Sequence, residues 1–171
     1  MNLTKKIFQD WILPIIAAII IAVIINKVIF FNVTVPTGSM LPTINLNDKI
    51  LVTRIHDKNN LKHGDIIVFH SDELGEDLIK RLIGLPNDEV EIKEDGSVYI
   101  NKRKIKESYV VYPGGKTGKF KVPEGSYFFM GDNRVNSLDA RYWQKPFIPA
   151  KDIMGKARIR ISPFSSFGKL K

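Results

Sequence analysis

The sequence predicts a mostly β fold, an antiparallel sheet domain preceded by one N-terminal transmembrane helix. Three observations carry this. An apolar run, WILPIIAAIIIAVIINKVIFF (11–31), is interrupted only by Pro14 and the Asn26-Lys27 pair. Beyond Phe31 the pattern changes to short alternating runs of β-branched and aromatic residues, ended by Gly, Pro, Asn or Asp. No long amphipathic helix, fixed-period repeat or βαβ alternation follows, which argues against a parallel nucleotide-binding sheet.

The apolar run holds about 21 residues, which at about 1.5 Å each span roughly 31 Å, close to a bilayer core of about 30 Å. Lys5 and Lys6 precede it, which favours a cytoplasmic N-terminus (1–10), a membrane anchor (11–31) and an extracytoplasmic domain (32–171). Lys27, near the far end, can snorkel outward. A cleavable signal peptide shares the basic start and the apolar core. The run is long for such a peptide, however, and no polar stretch with a small-x-small site follows, so an uncleaved, single-pass anchor in the cell membrane is favoured.

Seven β runs follow in order: KILVTRI (49–55), DIIVFH (65–70), DLIKRLIGL (77–85), EVEIK (89–93), SVYIN (97–101), GSYFFMGD (125–132) and IMGKARIRI (153–161). Asp95-Gly96 between the fourth and fifth is a hairpin signal, because Gly adopts the turn's backbone conformation without steric cost. YPGGKTGK (112–119) reads as a flexible surface loop.

With 171 residues and 44% hydrophobic content, the chain is long enough for one good core plus an anchor. It has no cysteine, which removes disulfides, thiolate metal sites and thiol nucleophiles. Its net charge of +8 is spread along the chain. This disfavours nucleic acid as a partner and leaves two readings, attraction to anionic lipid head groups or a plain basic surface.

The hydroxyl of Ser39, in VPTGSMLPTI (35–44), stands on unusual backbone. Gly38 gives conformational freedom, while Pro36 and Pro42 stiffen the flanks. Such a segment either makes a plain turn or holds a hydroxyl beside converging backbone N–H groups, as an oxyanion requires. A serine nucleophile needs a base. His56 and His63 lie in polar loops, His70 ends a strand beside Ser71, Asp72 and Glu73, and no motif surrounds any of the three.

Lys80 and Arg81 interrupt an apolar strand, and neighbours on a strand face opposite ways, so one of them should turn inward. If it is Lys80, burial lowers the pKa of its amine and leaves a neutral base; the alternative is an edge-strand lysine in water. The polar loop GDNRVNSLDAR (131–141) adds Ser137, a hydrogen-bond partner for an amine, and Asp139 with Arg141, a loop-fixing ion pair. Asp132, Asn133 and Asp139 are hard oxygen ligands, but the spacing is not that of an EF-hand and two arginines stand among them.

Together these segments resemble the type I signal peptidase family, membrane-bound Ser/Lys endopeptidases of bacterial secretion. The likeness runs in order through an N-terminal anchor, PTGSMLPT (36–43), GDIIVF (64–69), IKRLIGLPND (79–88), GDNRVNSLDAR (131–141) and GKARIR (155–160) before Pro163. It implies that Ser39 is the nucleophile and Lys80 the general base. It further implies an oxyanion hole made by the Ser39 N–H and the Thr37 hydroxyl, a Ser137 that orients the lysine, and an Asp139–Arg141 pair that braces the loop. Met40 falls beside the cleft in the family's motif. Val33, Val35, Ile44 and Ile79 are candidates for shallow pockets that reject large side chains, or for plain core.

The implied reaction removes signal peptides from secretory preproteins after small residues of Ala-x-Ala type, through an acyl-enzyme. No cofactor or metal is implied, the partners are preproteins and membrane lipids, and the expected state is a monomer. Ala140 stands where the family usually has Ser, Asn87 where it often has Gly, and YWQKPFIP after Arg141 lacks a frequent Gly. The single anchor and the absence of a large insertion are similar to the short Gram-positive form, and Lys80 separates the chain from the endoplasmic-reticulum form with His. Tyr142, Trp143, Phe147, Phe164 and Phe167 either reach the bilayer interface or pack in the core. A catalytically dead relative acting as a chaperone should have lost Ser39 or Lys80, and a self-cleaving Ser/Lys regulator would be soluble.

Overall fold

The computed structural model describes residues 8–170. Two compact units divide the chain, one ending at Phe31 and the other beginning at Asn32.

The first unit is a helical turn, Phe8–Ile12, running into helix α1, Leu13–Ile29. Pro14 sits in the first turn of α1, where its missing N–H leaves no intrahelical bond unmade. Apolar side chains from Trp11 to Ile24, and again at Val28 and Ile29, are open at many positions around the helix, so no single stripe is apolar. Among the described residues no helix is long and apolar enough to cross a membrane. The expected span also loses its last two residues: Phe30 leaves the helix with extended backbone (φ −125°, ψ 154°), and Phe30–Thr34 forms strand β1. Aromatic side chains favour that pleated conformation. Lys5 and Lys6, on which the expected orientation rests, lie outside the described residues.

The second unit is built from antiparallel sheet, as the alternating runs predict. Its strands are β2 Lys49–Arg54, β3 Ile66–Ser71, β4 Glu76–Gly84, β5 Glu89–Ile92, β6 Val98–Ile100, β7 Arg103–Lys104, β8 Gly118–Lys121, β9 Ser126–Met130, β10 Phe147–Pro149, β11 Ile153–Ser162 and β12 Gly168–Lys169. One sheet runs β1-β2-β11-β3-β4-β9-β10 with β12 on β11, and a smaller one runs β7-β6-β5-β8. Each of the seven expected runs is a strand to within one or two residues. At Asp95-Gly96 the β5–β6 hairpin turns with Gly96 at φ +78°.

The core lies where the inner side chains of both sheets meet, around Phe69, Phe129, Leu82, Val90 and Phe128. Phe69 stacks on Phe129 with centroids 4.3 Å apart, and Trp143 meets Phe69 edge-on at 6.2 Å. Burial of this kind contributes about 25 cal/mol per Å² and gives the strands above it a rigid base. Trp143 is therefore core, and half-buried Phe147 packs against Phe128. Phe164 and Phe167 are 87% and 59% exposed, and Tyr142 is also exposed.

Three features of this unit position chemistry. β3 pairs β4 with Ile67 opposite Lys80 and Ile66 opposite Arg81. The segment between β1 and β2 is knotted by backbone bonds from Leu41 N to Gly38 O (3.2 Å), Ile44 N to Met40 O (2.9 Å) and Val35 N to Asp48 O (3.0 Å). The 131–141 loop leaves β9 directly beneath that segment, since Asn133 N donates to Ser39 O at 3.0 Å.

Candidate active site

Lys80 and Arg81 are both buried, at 3% and 2% exposure, so the inward turn expected of one of them is made by both. Their side chains leave opposite faces of β4, and each finds polar company inside. On one face Lys80 Nζ lies 2.5 Å from Ser39 Oγ, and Ser39 is itself only 6% exposed. Burial, opposed by the nearby carboxylates of Asp139 and Glu76, pushes Lys80 down from its ordinary value to about 8. As an ammonium it donates to Ser39 Oγ; as a neutral amine it offers that hydroxyl a lone pair.

Thr37 Oγ1 lies 3.3 Å from Ser39 Oγ, on the same side of the turn. Among the described residues no hydrogen bond engages the Ser39 N–H. The segment thus offers a hydroxyl close to the Ser39 oxygen and an unengaged N–H on Ser39 itself, the two donor types an oxyanion needs.

On the other face of β4, Arg81 grips Asp132 through two bonds, Nε to Oδ1 (2.8 Å) and Nη2 to Oδ2 (2.6 Å). Its guanidinium also donates to Gly64 O (2.7 Å) and lies 3.7 Å over the Tyr109 ring. Asp139 and Arg141 form the expected pair, again bidentate, at 2.8 and 2.9 Å. Asp139 also accepts from Gly131 N at 2.9 Å, while Arg141 donates to Gly114 O and Arg134 O. A third pair joins Arg134 to Glu107, whose carboxylate also accepts from Tyr109 OH at 2.8 Å. The carboxylates of Asp132 and Asp139 are thus occupied by guanidiniums, which answers the metal reading of those residues. Such pairs hold their loops because removing one partner strands the other in a low-dielectric interior.

Ser137 is buried, and among the described residues its hydroxyl has no hydrogen-bond partner; its expected bond to the Lys80 amine is not formed. It packs instead against Gly131, where an added Cβ would meet both the Ser137 hydroxyl and Ser39 O. Gly131 is the close approach that lets the loop reach the Ser39 segment.

Beside the pair opens a cleft of about 250 Å³ walled by 33–37 on one side and by 76–80 with Val68 on the other. Val33, Val35 and Ile79 line it as expected. Met40 and Ile44 do not. Both are completely buried, because the turn closed by Ile44 N and Met40 O rolls their side chains into the interior. Sequence reasoning missed Val68 and Leu78, which extend the apolar wall, and Glu76 and Asp77, which add charge to it. Alternation along β4 places Leu78 but does not say which face borders a cleft.

The histidines lie elsewhere. His63 Nε2 contacts Asp88 at 2.6 Å and His70 Nδ1 contacts Asp77 at 2.8 Å, and neither meets Ser39. The loop read as flexible, 112–119, is fastened down: Gly114 O receives Arg141, and Lys116 N donates to Tyr142 OH at 3.0 Å. Gly115, at φ +87°, passes so close to the Arg141 guanidinium that a side chain there has no room.

Comparison with known proteins adds an independent line. Residues 8–162 match the family described as signal peptidase, peptidase S26. The chain is 35% identical over 177 residues to signal peptidase I of Bacillus licheniformis, covering 96% of this chain and 94% of that one. It is 34% identical over 163 residues to a probable signal peptidase I-2 of Synechocystis, covering 91% and 73%. A crystal structure of a signal peptidase I from Enterococcus faecalis is similar with a TM-score of 0.51 and 32% identity, over 57% of this chain and 96% of that one.

Proposed function

The chain belongs to the signal peptidase family, peptidase S26, and on that premise we propose that it removes N-terminal signal peptides from secretory preproteins by Ser/Lys acyl-enzyme chemistry. The observation that carries this reading is the 2.5 Å approach of Lys80 Nζ to Ser39 Oγ in a nearly closed environment. A serine hydroxyl attacks a peptide carbonyl only when a base takes its proton. An amine whose pKa is lowered to about 8 by burial is in part neutral near physiological pH and meets that need.

In the proposed cycle, neutral Lys80 takes the Ser39 proton as Oγ bonds to the scissile carbonyl carbon. The Ser39 N–H and the Thr37 hydroxyl face the developing oxyanion. The lysine proton then passes to the leaving amine, the mature protein departs, and an ester joins Ser39 to the signal peptide. Water, deprotonated by the same amine, hydrolyses the ester. Ser137 orients the amine once substrate tightens the site, and Asp139 with Arg141 braces the loop beneath.

The cleft supports a substrate held in extended form with small side chains, of Ala-x-Ala type, before the scissile bond. Val33, Val35, Val68 and Ile79 narrow its wall, and a shallow apolar site discriminates by size.

The N-terminal segment serves as a single-pass anchor with its start in the cytoplasm and the catalytic unit outside. Support comes from α1 and the preceding turn together. The 17 residues of Leu13–Ile29 reach the lower end of the usual range for a span, about 17–25 residues, and Phe8–Ile12 lengthens them. The enzyme works as a monomer in contact with lipid, without nucleic acid or cofactor.

Incubating the purified protein in detergent with preproteins, then sequencing the new N-termini, tests the reading. Wild type should cut after small residues, whereas Ser39→Ala and Lys80→Ala should both be inactive while folded. Full activity in either variant would falsify the dyad.

A further inference from the structure

Asn133 holds both peptide groups that flank Ser39. Its backbone N–H donates to Ser39 O at 3.0 Å, and its side-chain Nδ2 donates to Gly38 O at 3.2 Å. The side chain is itself kept in place, since Asn136 N donates to Asn133 Oδ1 at 3.3 Å and only 5% of the residue is exposed. Among the described residues, Gly38 O has one other partner, Leu41 N at 3.2 Å.

A trans peptide is planar, with its C=O and N–H pointing in opposite directions. Whatever fixes the Gly38 carbonyl therefore fixes the direction of the Ser39 N–H, the donor that no other group in the described residues engages. From this geometry we infer that Asn133 is a positioning residue for the oxyanion site: its amide, bound to Gly38 O, aims the Ser39 N–H at the reacting carbonyl oxygen.

The inference rests on the Ser39/Lys80 reading above and adds to it. It concerns an N–H direction, so its effect falls on the transition state and leaves ground-state binding of the substrate alone. Donors at an oxyanion are worth about 10²–10³ in rate when removed outright. Loosening one that keeps its Leu41 partner should lower kcat by roughly tenfold to a hundredfold, with KM within about twofold.

The test compares Asn133→Ala and Asn133→Asp in the full-length protein in detergent, with a fluorogenic peptide carrying Ala-x-Ala before the scissile bond. Asp keeps the side chain's volume and the oxygen that accepts from Asn136 N, while removing the donor to Gly38 O, so it tests the inference even where Ala unfolds the loop. A second readout is binding of a peptide aldehyde ending in Ala. Ser39 Oγ bonds to its carbonyl carbon, the Ser39 proton passes to Lys80, and the former carbonyl oxygen carries the negative charge. Aldehyde affinity should fall in step with kcat, while the affinity of the matching unreactive peptide amide stays level.

Wild-type kcat and aldehyde affinity in a folded Asn133→Asp variant would overturn the inference. So would a loss carried by KM alone. If those results arrive while Ser39→Ala and Lys80→Ala are inactive, only the role of Asn133 falls. Activity in Ser39→Ala would instead remove the reading on which it rests.

Discussion

Lys80 and Ser39, forty-one residues apart in sequence, meet at 2.5 Å with both side chains nearly closed to water. Their meeting depends on one strand register and one loop contact. Ile67 opposite Lys80 sets the height of the amine on β4, and Asn133 beneath Ser39 sets the height of the hydroxyl.

Activity should rise with pH. The base acts only when neutral, so kcat/KM should climb about tenfold per unit below the Lys80 pKa of about 8 and level off above it. Peptide cleavage measured from pH 6 to 10 checks this. A flat profile would exclude the lysine as the base.

The same lowered pKa predicts a stability effect. The folded chain binds the Lys80 proton less tightly than the unfolded chain, so stability rises with pH between about 8 and 10.5. Below that window the buried amine costs the fold on the order of 3 kcal/mol, at about 1.4 kcal/mol for each tenfold weakening of its hold on the proton. Lys80→Met should thus be more stable than wild type at pH 6 and match it near pH 11. Urea unfolding of both proteins across that range reads the difference.

Gly131→Ala places a methyl group against the Ser137 hydroxyl and Ser39 O. The loop must back away, at a cost of about 1–3 kcal/mol, and Ser39 loses its support. Cleavage should fall at least a hundredfold, with a smaller drop in thermal midpoint. Normal activity in this variant would show that the close approach is dispensable.

Asp139→Ala leaves Arg141 buried without its carboxylate and orphans the N–H of Gly131. Destabilisation of about 3–5 kcal/mol is expected. Arg141→Leu added to Asp139→Ala should recover part of it, because the stranded charge is gone. A double-mutant cycle by denaturant unfolding measures the coupling.

Ile79 stands on the cleft wall beside Lys80. Trimming it to Ala should admit Val or Leu before the scissile bond, narrowing preference for Ala by about tenfold, the scale of a methylene or two in an apolar pocket. Rates on matched peptides supply the ratio.

Much of this was legible in the sequence, for identifiable reasons. Alternation exposed β2, β5 and β6 because one face of each is buried, while β3, β4 and β9, covered on both faces over much of their length, showed as apolar runs bounded by turn residues. Ser39 and Lys80 stood out because a Gly-Ser between prolines and a lysine in an apolar strand both break a local pattern. What escaped was long-range. Nothing near Arg81 announces a partner 51 residues away in Asp132, and nothing near Glu107 announces Arg134. In the sequence Ile44 is open between pocket and core, and Met40 is set beside the cleft by resemblance alone, because a turn, unlike a strand, has no fixed period from which to read which side chains face inward. The two-residue strands β7 and β12 are too short to carry a pattern at all.

Lys80 and Arg81 are both buried, back to back on β4, and this makes assembly of the sheet a test of chemical identity. Pairing β3 and β4 one residue out of step would exchange the two faces. A guanidinium, which stays charged at any physiological pH, would then sit against Ser39, while an ammonium, a point charge without the guanidinium's two-pronged grip, faced Asp132. Such a misassembled molecule would be inert as well as poorly held, so proteolysis of loosely folded chains would clear the inactive ones first.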